Sequence, residues 1–279
     1  MSKHEWGRDK EWEIGKAKLT LYKHNQNDAW FGIIRQSSKL DLRFSGNDRD
    51  GLITEMEADV SKPPPKIVGY AGAMERFLFL YPGGFTNVAF EAGERGGKLE
   101  AGATLQPLLD DGLDDGEAIA LLKSARRILE RGGQSPLHMT ESSDLDIIWS
   151  GEGGADYVRG VKAWALGDRA VGIKLMFQAC EGRRHSWPMF TLFPALLQPD
   201  TDAILRPSAS QTFSHAVKSV FVKVYDPEPS VSTYTAFLEL LNDTSKHIAE
   251  LGPRDYIDLA SFVWVSTSYS ADAAPRGVG

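Results

Sequence analysis

An alternation of apolar and polar residues dominates the first part of the chain and predicts β-strands. The segments that show it are KLTLYKH (18–24), WFGIIRQ (30–36) and KLDLRFSG (39–46). The polar stretch HNQND (24–28) joins the first two as a turn, and the proline-rich SKPPPK (61–66) forms a stiff connector. We therefore predict a small β-rich part over residues 1–60, with a domain boundary near residue 60.

Beyond the connector, apolar residues recur at helical spacing. In DDGEAIALLKSARRILERGG (114–133), acidic residues lead, apolar residues form a stripe, and a glycine pair ends the helix. Further helices are predicted in AMERFLFLY (73–81), SVSTYTAFLELLNDTSKHIAE (230–250) and YIDLASFVWV (256–265), and a helix or a mixed element in ADYVRGVKAWALG (155–167). DRAVGIKLMFQAC (168–180) fits a strand or a helix, and WPMFTLFPALLQ (187–198) contains Pro194, which predicts a kink. The predicted fold class is α+β, mainly α, with the β-rich part packed on a larger helical domain over residues 67–269.

Composition narrows the classes of function. Hydrophobic residues make up 42% of the 279 residues, which is enough for a sizeable core, while the formal net charge is −7. Because a protein that binds nucleic acid over its whole surface is usually basic, this charge argues against a non-specific DNA binder and leaves room for a local basic patch. The sequence has no run of roughly 20 apolar residues and no secretory signal. We therefore expect a cytoplasmic protein without a membrane segment.

Metal and redox chemistry have little support in the sequence. Cys180 is the only cysteine, which excludes an intrachain disulfide and a cysteine-based zinc site. The six histidines lack the H-x-x-x-H and H-E-x-x-H spacings of helical metal sites. We therefore expect neither a metal nor a cofactor.

The stretch YPGGFTNVAFEAGERGGKLEAG (81–102) has a Pro-Gly-Gly turn and then a second glycine pair before Lys98. A Walker A loop would need glycine at position 92 and Ser or Thr at position 99. The chain has Ala92 and Leu99 there, so the spacing excludes a nucleotide-binding P-loop.

The same stretch also fits a charged surface helix. Glu91 and Arg95, like Glu94 and Lys98, stand four residues apart and would pair on one solvated face. Such exposed pairs contribute only about a few tenths of a kcal/mol each. The second glycine pair opposes a helix, since each glycine costs roughly 1 kcal/mol relative to alanine. A surface helix and a functional segment therefore both stay open.

Several motifs resemble a poorly characterised, defence-associated bacterial family. They are PGGF (82–85), ER-x-x-K-x-E-A (94–101), SPLHMTE (135–141), WPMFTLFPALLQPDTDAILRPSAS (187–210) and LGPRDYIDLASFVWV (251–265). The resemblance runs in order over roughly residues 75–268, and the last motif is the most specific. It implies DNA-directed antiviral defence, similar to the helical parts of restriction systems for modified cytosine.

The chain departs from this family pattern at the second glycine pair. Gly96, Gly97 and Leu99 stand where the family has bulky Asp, Tyr and Trp side chains. If this segment is the active site, the missing bulk predicts a pocket that the two glycines open beside Glu94 and Lys98.

The segment IAELGPRDYIDLASFV (248–263) is similar to the helix-hairpin-helix of DNA glycosylases, whose backbone amides grip DNA phosphate. Gly252 is its only hairpin glycine, and an ordinary helix corner explains the segment at least as well, with Pro253 at the helix start and Asp255 favouring the dipole. The similarity implies excision of modified bases. Such an enzyme flips a base into a pocket and attacks the anomeric carbon with an activated water or a lysine amine.

The residues that match these motifs form the candidate site. The candidate catalytic residues are Glu94, Lys98, Glu141 and Asp258. The candidates for contact with DNA or substrate are Arg95, Arg183, Arg184, Arg206, Gly252, Arg254, Trp187 and Tyr256. The expected partner is double-stranded DNA, including modified phage DNA. Two other functions stay open: a non-catalytic module that recognises modified DNA, and an accessory subunit of a restriction-type system.

Overall fold

A computed structural model describes residues 5–269 except 16, 37–41, 62–64, 111, 134 and 181. The first part of the chain is an antiparallel meander in the order β1-β2-β3-β4. Its strands are β1 Trp6–Ile14, β2 Ala17–His24, β3 Trp30–Gln36 and β4 Leu42–Gly46. The three strands predicted from the alternation are confirmed in β2, β3 and β4. Residues 39–41 of the third segment and residues 62–64 of the connector lie outside the described residues.

A single helix, α1 Arg49–Ser61, covers this sheet and closes a small core. The buried residues of that core are Ala17, Leu19, Leu21, Ile34, Leu52 and Met56. Gly32 makes room for the helix, because a Cβ there would lie 2.3 Å from Sδ of Met56. The prediction of only strand and turn up to residue 60 is wrong at α1, whose apolar face is too narrow to give a clear helical pattern.

The rest of the described chain is helical. Its helices are α2 Gly69–Leu80, α3 Val88–Phe90, α4 Gly97–Leu105, α5 Asp115–Arg131, α6 Met139–Ser150, α7 Gly153–Ala165, α8 Arg169–Ala179, α9 Trp187–Leu197, α10 Pro207–Val217, α11 Phe221–Val224, α12 Val231–His247 and α13 Tyr256–Ser268. A π-helix, Glu91–Gly96, joins α3 to α4. The predicted helices are confirmed, the ambiguous segment 168–180 forms α8, and the fold is α+β, mainly α.

The apolar helix α9 is the centre of the second core. All of its residues are buried, and α4 and α7 pack against it. The crossing with α4 is close at Gly102, where a Cβ would lie 2.4 Å from the carbonyl oxygen of Leu196. Helices α7 and α8 approach each other in the same way, since Gly160 and Gly172 each face the other's carbonyl oxygen.

The last helix brings distant parts of the chain together. Helix α13 contacts α2, α10, α12 and the π-helix. None of the helices that the structure describes is long and apolar enough to cross a membrane.

Candidate functional site

The segment with the second glycine pair is a continuous helical run, neither a loop nor a surface helix. The π-helix over Glu91–Gly96 widens one turn, so residues four apart no longer stand above one another. Glu91 and Arg95 accordingly face different partners, and the predicted pair between them does not form. Glu94 and Lys98 do pair, with 3.2 Å between Oε2 and Nζ. Both side chains are 5% exposed, so the prediction of a solvated face is wrong.

Arg95 joins the π-helix to the start of α13. Its guanidinium makes two hydrogen bonds to the Asp255 carboxylate, of 2.8 Å and 2.7 Å, and a third of 3.0 Å to Oδ1 of Asp258. Arg254 donates to Asp258 from Nε at 2.7 Å and from its own backbone N–H at 3.0 Å, and it also pairs with Glu91. The hydrogen bond to Asp258 raises the pKa of Arg254. Together these residues form an ion-pair network. The side chains of Arg95, Asp255 and Asp258 are at most 10% exposed, whereas those of Arg254 and Glu91 are 39% exposed.

This network occupies the helix terminus that the glycosylase similarity assigns to DNA phosphate. Asp255 caps α13 by accepting from the backbone N–H of Asp258, and the Tyr256 N–H donates to the carbonyl of Pro199. Gly252 is in the left-handed region at φ 63°, as a hairpin glycine requires. The N–H groups of Arg254, Tyr256 and Asp258 are therefore already used by groups of the chain itself, as are both guanidinium groups.

Lys98 is held on the other side of the network. Its Nζ donates to the carbonyl oxygen of Glu94 at 2.5 Å, to Oε2 of Glu94 at 3.2 Å and to Oγ of Ser261 at 3.0 Å. Asp258 and Ser261 lie three residues apart and so share one face of α13. Burial lowers the pKa of Lys98, while the Glu94 carboxylate opposes this shift.

A tyrosine completes the surroundings of Glu94. The Tyr269 hydroxyl donates to Oε1 of Glu94, and burial together with this carboxylate raises the pKa of Tyr269. Arg76 of α2 fixes the backbone there by donating to the Tyr269 carbonyl at 2.5 Å. Both carboxylate oxygens of Glu94 therefore have donors.

A pocket opens beside Lys98, and the atom-free space within and in front of it is about 490 Å³ when the open solvent is counted. The residues that line it come from α4, α9, α10, α12, α13 and the segment between α9 and α10. They are Lys98, Ala195, Leu196, Asp202, Ala203, Ile204, Arg206, Ala209, Ser210, Phe237, Tyr256, Ile257, Ala260, Ser261, Val263 and Trp264. The pocket wall is thus mostly apolar and aromatic, with a few polar groups at defined places.

Arg206 is the least satisfied of these polar groups. Its guanidinium lies over the Trp264 ring, 4.0 Å from the centroid, and makes no hydrogen bond or ion pair with the residues that the structure describes. Burial lowers its pKa, which the nearby Glu94 carboxylate opposes. An arginine retains its charge even so, because its ordinary pKa lies above 12.

The second glycine pair does not open this pocket. Neither Gly96 nor Gly97 lines it, and Leu99 is 41% exposed. A Cβ on Gly96 would lie 3.1 Å from the carbonyl oxygen of Glu91, within the helical run itself. The prediction that missing bulk at these positions creates the pocket is therefore wrong.

Glu141, a predicted catalytic residue, has a local structural role. It is the third residue of α6 and accepts from the backbone N–H of His138 at 2.7 Å, which completes a capping box. Its other oxygen accepts from Oγ of Ser186 at 2.5 Å. Glu141 does not line the pocket, so the structure does not bring it together with Lys98.

The aromatic and basic residues predicted to contact DNA or a flipped base lie in different parts of the structure. Trp187 is 1% exposed in the core, stacks with Tyr234 and donates to the carbonyl of Asp226, so an incoming base does not reach it. Tyr256 lines the pocket, with its hydroxyl bonded to Asn242. Arg183 and Arg184 are exposed in the loop between α8 and α9.

Three residues of the site were absent from the candidates: Ser210, Ser261 and Tyr269. A spacing signal existed for Ser261, which is three residues after Asp258 in the LGPRDYIDLASFVWV motif. Ser210 and Tyr269 gave none, because their roles depend on contacts between elements that are far apart in the chain.

Among the described residues, no group of three or more His, Cys, Asp or Glu side chains could hold a metal ion. Comparisons with protein families, with curated proteins and with solved structures found no match for this chain.

Proposed function

We propose that this protein acts on double-stranded DNA in bacterial antiviral defence and excises modified bases at the pocket beside Lys98. One observation carries the proposal: a lysine amine and the carboxylate of Glu94 are buried together at the edge of a pocket with aromatic walls. A glycosylase needs a nucleophile, a proton donor for the departing base and a surface on which the flipped base stacks. The motif resemblance described above supports the same function, and its place would be the cytoplasm.

Proton transfer within the buried pair would generate the nucleophile. Moving one proton from Lys98 to Glu94 gives a neutral amine and a neutral carboxylic acid, which burial favours over two charges. The amine then bonds to C1′ of the deoxyribose while the bond from C1′ to the base breaks. The base leaves with the electron pair and takes the proton from Glu94. The amine proton passes to the ring oxygen as the sugar opens to an imine, and water hydrolyses the imine to an abasic site and free Lys98.

The surface that would meet DNA is small. Arg183 and Arg184 are exposed, whereas Arg95 and Arg254 already pair with carboxylates. A chain with a net charge of −7 then depends on such a local patch, and with two arginines the logarithm of the affinity should fall with the logarithm of the salt concentration with a slope of only about −2.

A second candidate, recognition of modified DNA without catalysis, has its own support. All three N–H donors of the Lys98 ammonium have acceptors, two from Glu94 and one from Ser261. Such a complete set is typical of a structural ion pair, which holds α4 against α13 and does no chemistry.

Incubation without metal separates these functions. The protein is mixed with unmodified DNA and with hypermodified phage DNA, and free base and alkali-labile abasic sites are measured. Release of base from modified DNA supports excision, and borohydride should then trap a covalent protein–DNA complex. Retarded migration of the DNA without released base supports the recognition module. If the protein neither releases base nor retards the DNA, the accessory-subunit function is favoured.

Variants test the role of Lys98 itself. Lys98→Met leaves Glu94 buried without its cation, so the double variant Lys98→Met with Glu94→Gln serves as a second, uncharged form whose folding is checked by thermal melting. We expect both to lose borohydride trapping. Lys174→Met, an exposed lysine of α8, is the matched control and should trap normally. Trapping that survives in the folded double variant would rule out Lys98 as the nucleophile.

A further inference from the structure

We propose that the pocket contains a binding site for the 5′-phosphate of a nucleotide, in which Arg206 is the anion ligand and Ser210 a second donor. This inference concerns binding alone and holds whether or not the pocket performs the excision proposed above. It depends on the polar groups that the fold leaves without partners.

The first such group is the Arg206 guanidinium. Of the charged groups that line the pocket, Lys98 pairs with Glu94, and Asp202 pairs with Arg169 at 3.1 Å. Arg206 has no direct partner anywhere in the described parts of the chain, and Glu94 acts on it only at longer range. Arg206 is partly exposed where it lines the pocket, so its guanidinium donors are available to an anion that enters from outside.

The second group is the hydroxyl of Ser210. Its side chain is buried, with 1% of the residue exposed, and it lines the same pocket. It makes no hydrogen bond within the described chain, although buried hydroxyls normally have one. Ser210 follows Arg206 by four residues, and its backbone N–H bonds to the Arg206 carbonyl, so both side chains belong to the first turn of α10 and its cap.

The stacking on Trp264 orients Arg206 for an oxyanion. A ring 4.0 Å from the guanidinium fixes the plane of its five N–H donors while leaving their edges free. This fork matches two oxygens of a phosphate, and the cap of a helix adds a favourable field for negative charge. Trp264 thus holds the cation in place without neutralising it.

The rest of the pocket favours an organic body over a bare anion. Beyond the polar groups, its wall consists of apolar and aromatic side chains, among them Ile204, Tyr256 and Ile257. A phosphate with an attached flat base satisfies both halves of the pocket, because the base can pack on the wall while the phosphate pairs with Arg206. The 5′-phosphate can come from a free mononucleotide or from a DNA end.

Calorimetry with the whole chain tests this site. We expect adenosine 5′-monophosphate to bind and adenosine to bind at least tenfold more weakly, with inorganic phosphate between them. A 5′-phosphorylated oligonucleotide that binds more tightly than its 5′-hydroxyl form identifies a DNA end as the source, whereas binding of the mononucleotide alone identifies free nucleotide. Absence of binding to the mononucleotide, to phosphate and to the phosphorylated oligonucleotide would overturn the proposal.

Two variants locate the site. Arg206→Met keeps a long chain over Trp264 but removes the charge, and it should raise the Kd for the mononucleotide at least tenfold while the protein still folds. Ser210→Ala should raise the Kd about threefold or more. Arg127→Met in α5 is the control, because it removes an exposed guanidinium that does not line the pocket. An unchanged Kd in folded Arg206→Met would refute the assignment even if the excision assay succeeded, since that assay scores only released base.

Discussion

Asp258 offers a decisive test of whether the residues of the LGPRDYIDLASFVWV motif act in structure or in chemistry. Its side chain is fully buried and its carboxylate accepts four hydrogen bonds, three from Arg254 and one from Arg95. Asp258→Asn keeps the shape of the side chain but replaces one acceptor oxygen with an amide nitrogen, whose hydrogens then point at a guanidinium. Two cations then lose their shared counter-charge.

The size of the effect follows from this geometry. Breaking a buried ion pair by removing one partner costs about 3–5 kcal/mol. The lower end of that range applies here, because Arg95 keeps Asp255 and the 39% exposed Arg254 keeps Glu91. For a folding unit of roughly 200 residues, each kcal/mol lowers the melting temperature by about 2–4 °C. We therefore expect Asp258→Asn to melt about 6–12 °C below the unchanged protein, measured by circular dichroism at 222 nm.

The control is another single carboxylate-to-amide change on a helix. Asp243→Asn in α12 removes an exposed pair with Lys246 and should leave the melting temperature unchanged. The reasoning is refuted if Asp258→Asn melts at the same temperature as this control. A normal melting temperature combined with loss of base excision would place Asp258 in the chemistry instead.

Three further outcomes follow from the packing and the contacts. Gly102→Ala should destabilise the protein by about 1–3 kcal/mol in urea unfolding, because its Cβ meets a backbone carbonyl that cannot move cheaply, whereas Gly151→Ala, with no contact under 3.5 Å, should cost far less. Burial raises the pKa of the Cys180 thiol to about 11, so a thiol reagent at pH 8 should label native protein far more slowly than protein in urea. Because the native state holds this proton more tightly, stability should be fully present below pH 9 and fall between pH 9 and 11. Tyr269→Phe removes one donor to Glu94 and should slow base excision while the mononucleotide still binds, and unchanged excision would count against a role for that hydroxyl.

The sequence predicts the elements of this fold better than the contacts between them. Alternation identifies β2 to β4, and apolar spacing with caps identifies helices such as α5, where Asp114 and Glu117 form a capping box. The sequence pattern does not reveal β1, because four consecutive charged residues (8–11) interrupt the alternation, and it does not reveal α1, because little of that helix is buried. Local patterns reflect burial, so elements with a small buried face leave a weak pattern.

The site shows the same division between what is local and what is not. Spacing correctly relates Glu94 to Lys98, which are neighbours on one helical run. It fails for Glu91 and Arg95, because one π-helical turn redirects both side chains, and nothing in the sequence period announces that turn. The partner of Arg95 lies 160 positions away in the chain, a distance that only the packing of α13 on the π-helix determines.

The charged residues around α13 divide into two groups with different meanings. Most of the motif residues saturate one another, as Arg95 does with Asp255 and Arg254 with Asp258, so their presence in a motif is explained by the network they build. A group that is already satisfied gains little from a ligand, whereas an unsatisfied one gains the whole interaction. Function should therefore be sought where the fold leaves a charged side chain without a hydrogen bond or an ion pair. In the described chain that criterion selects Arg206 in the pocket over the arginines of the hairpin.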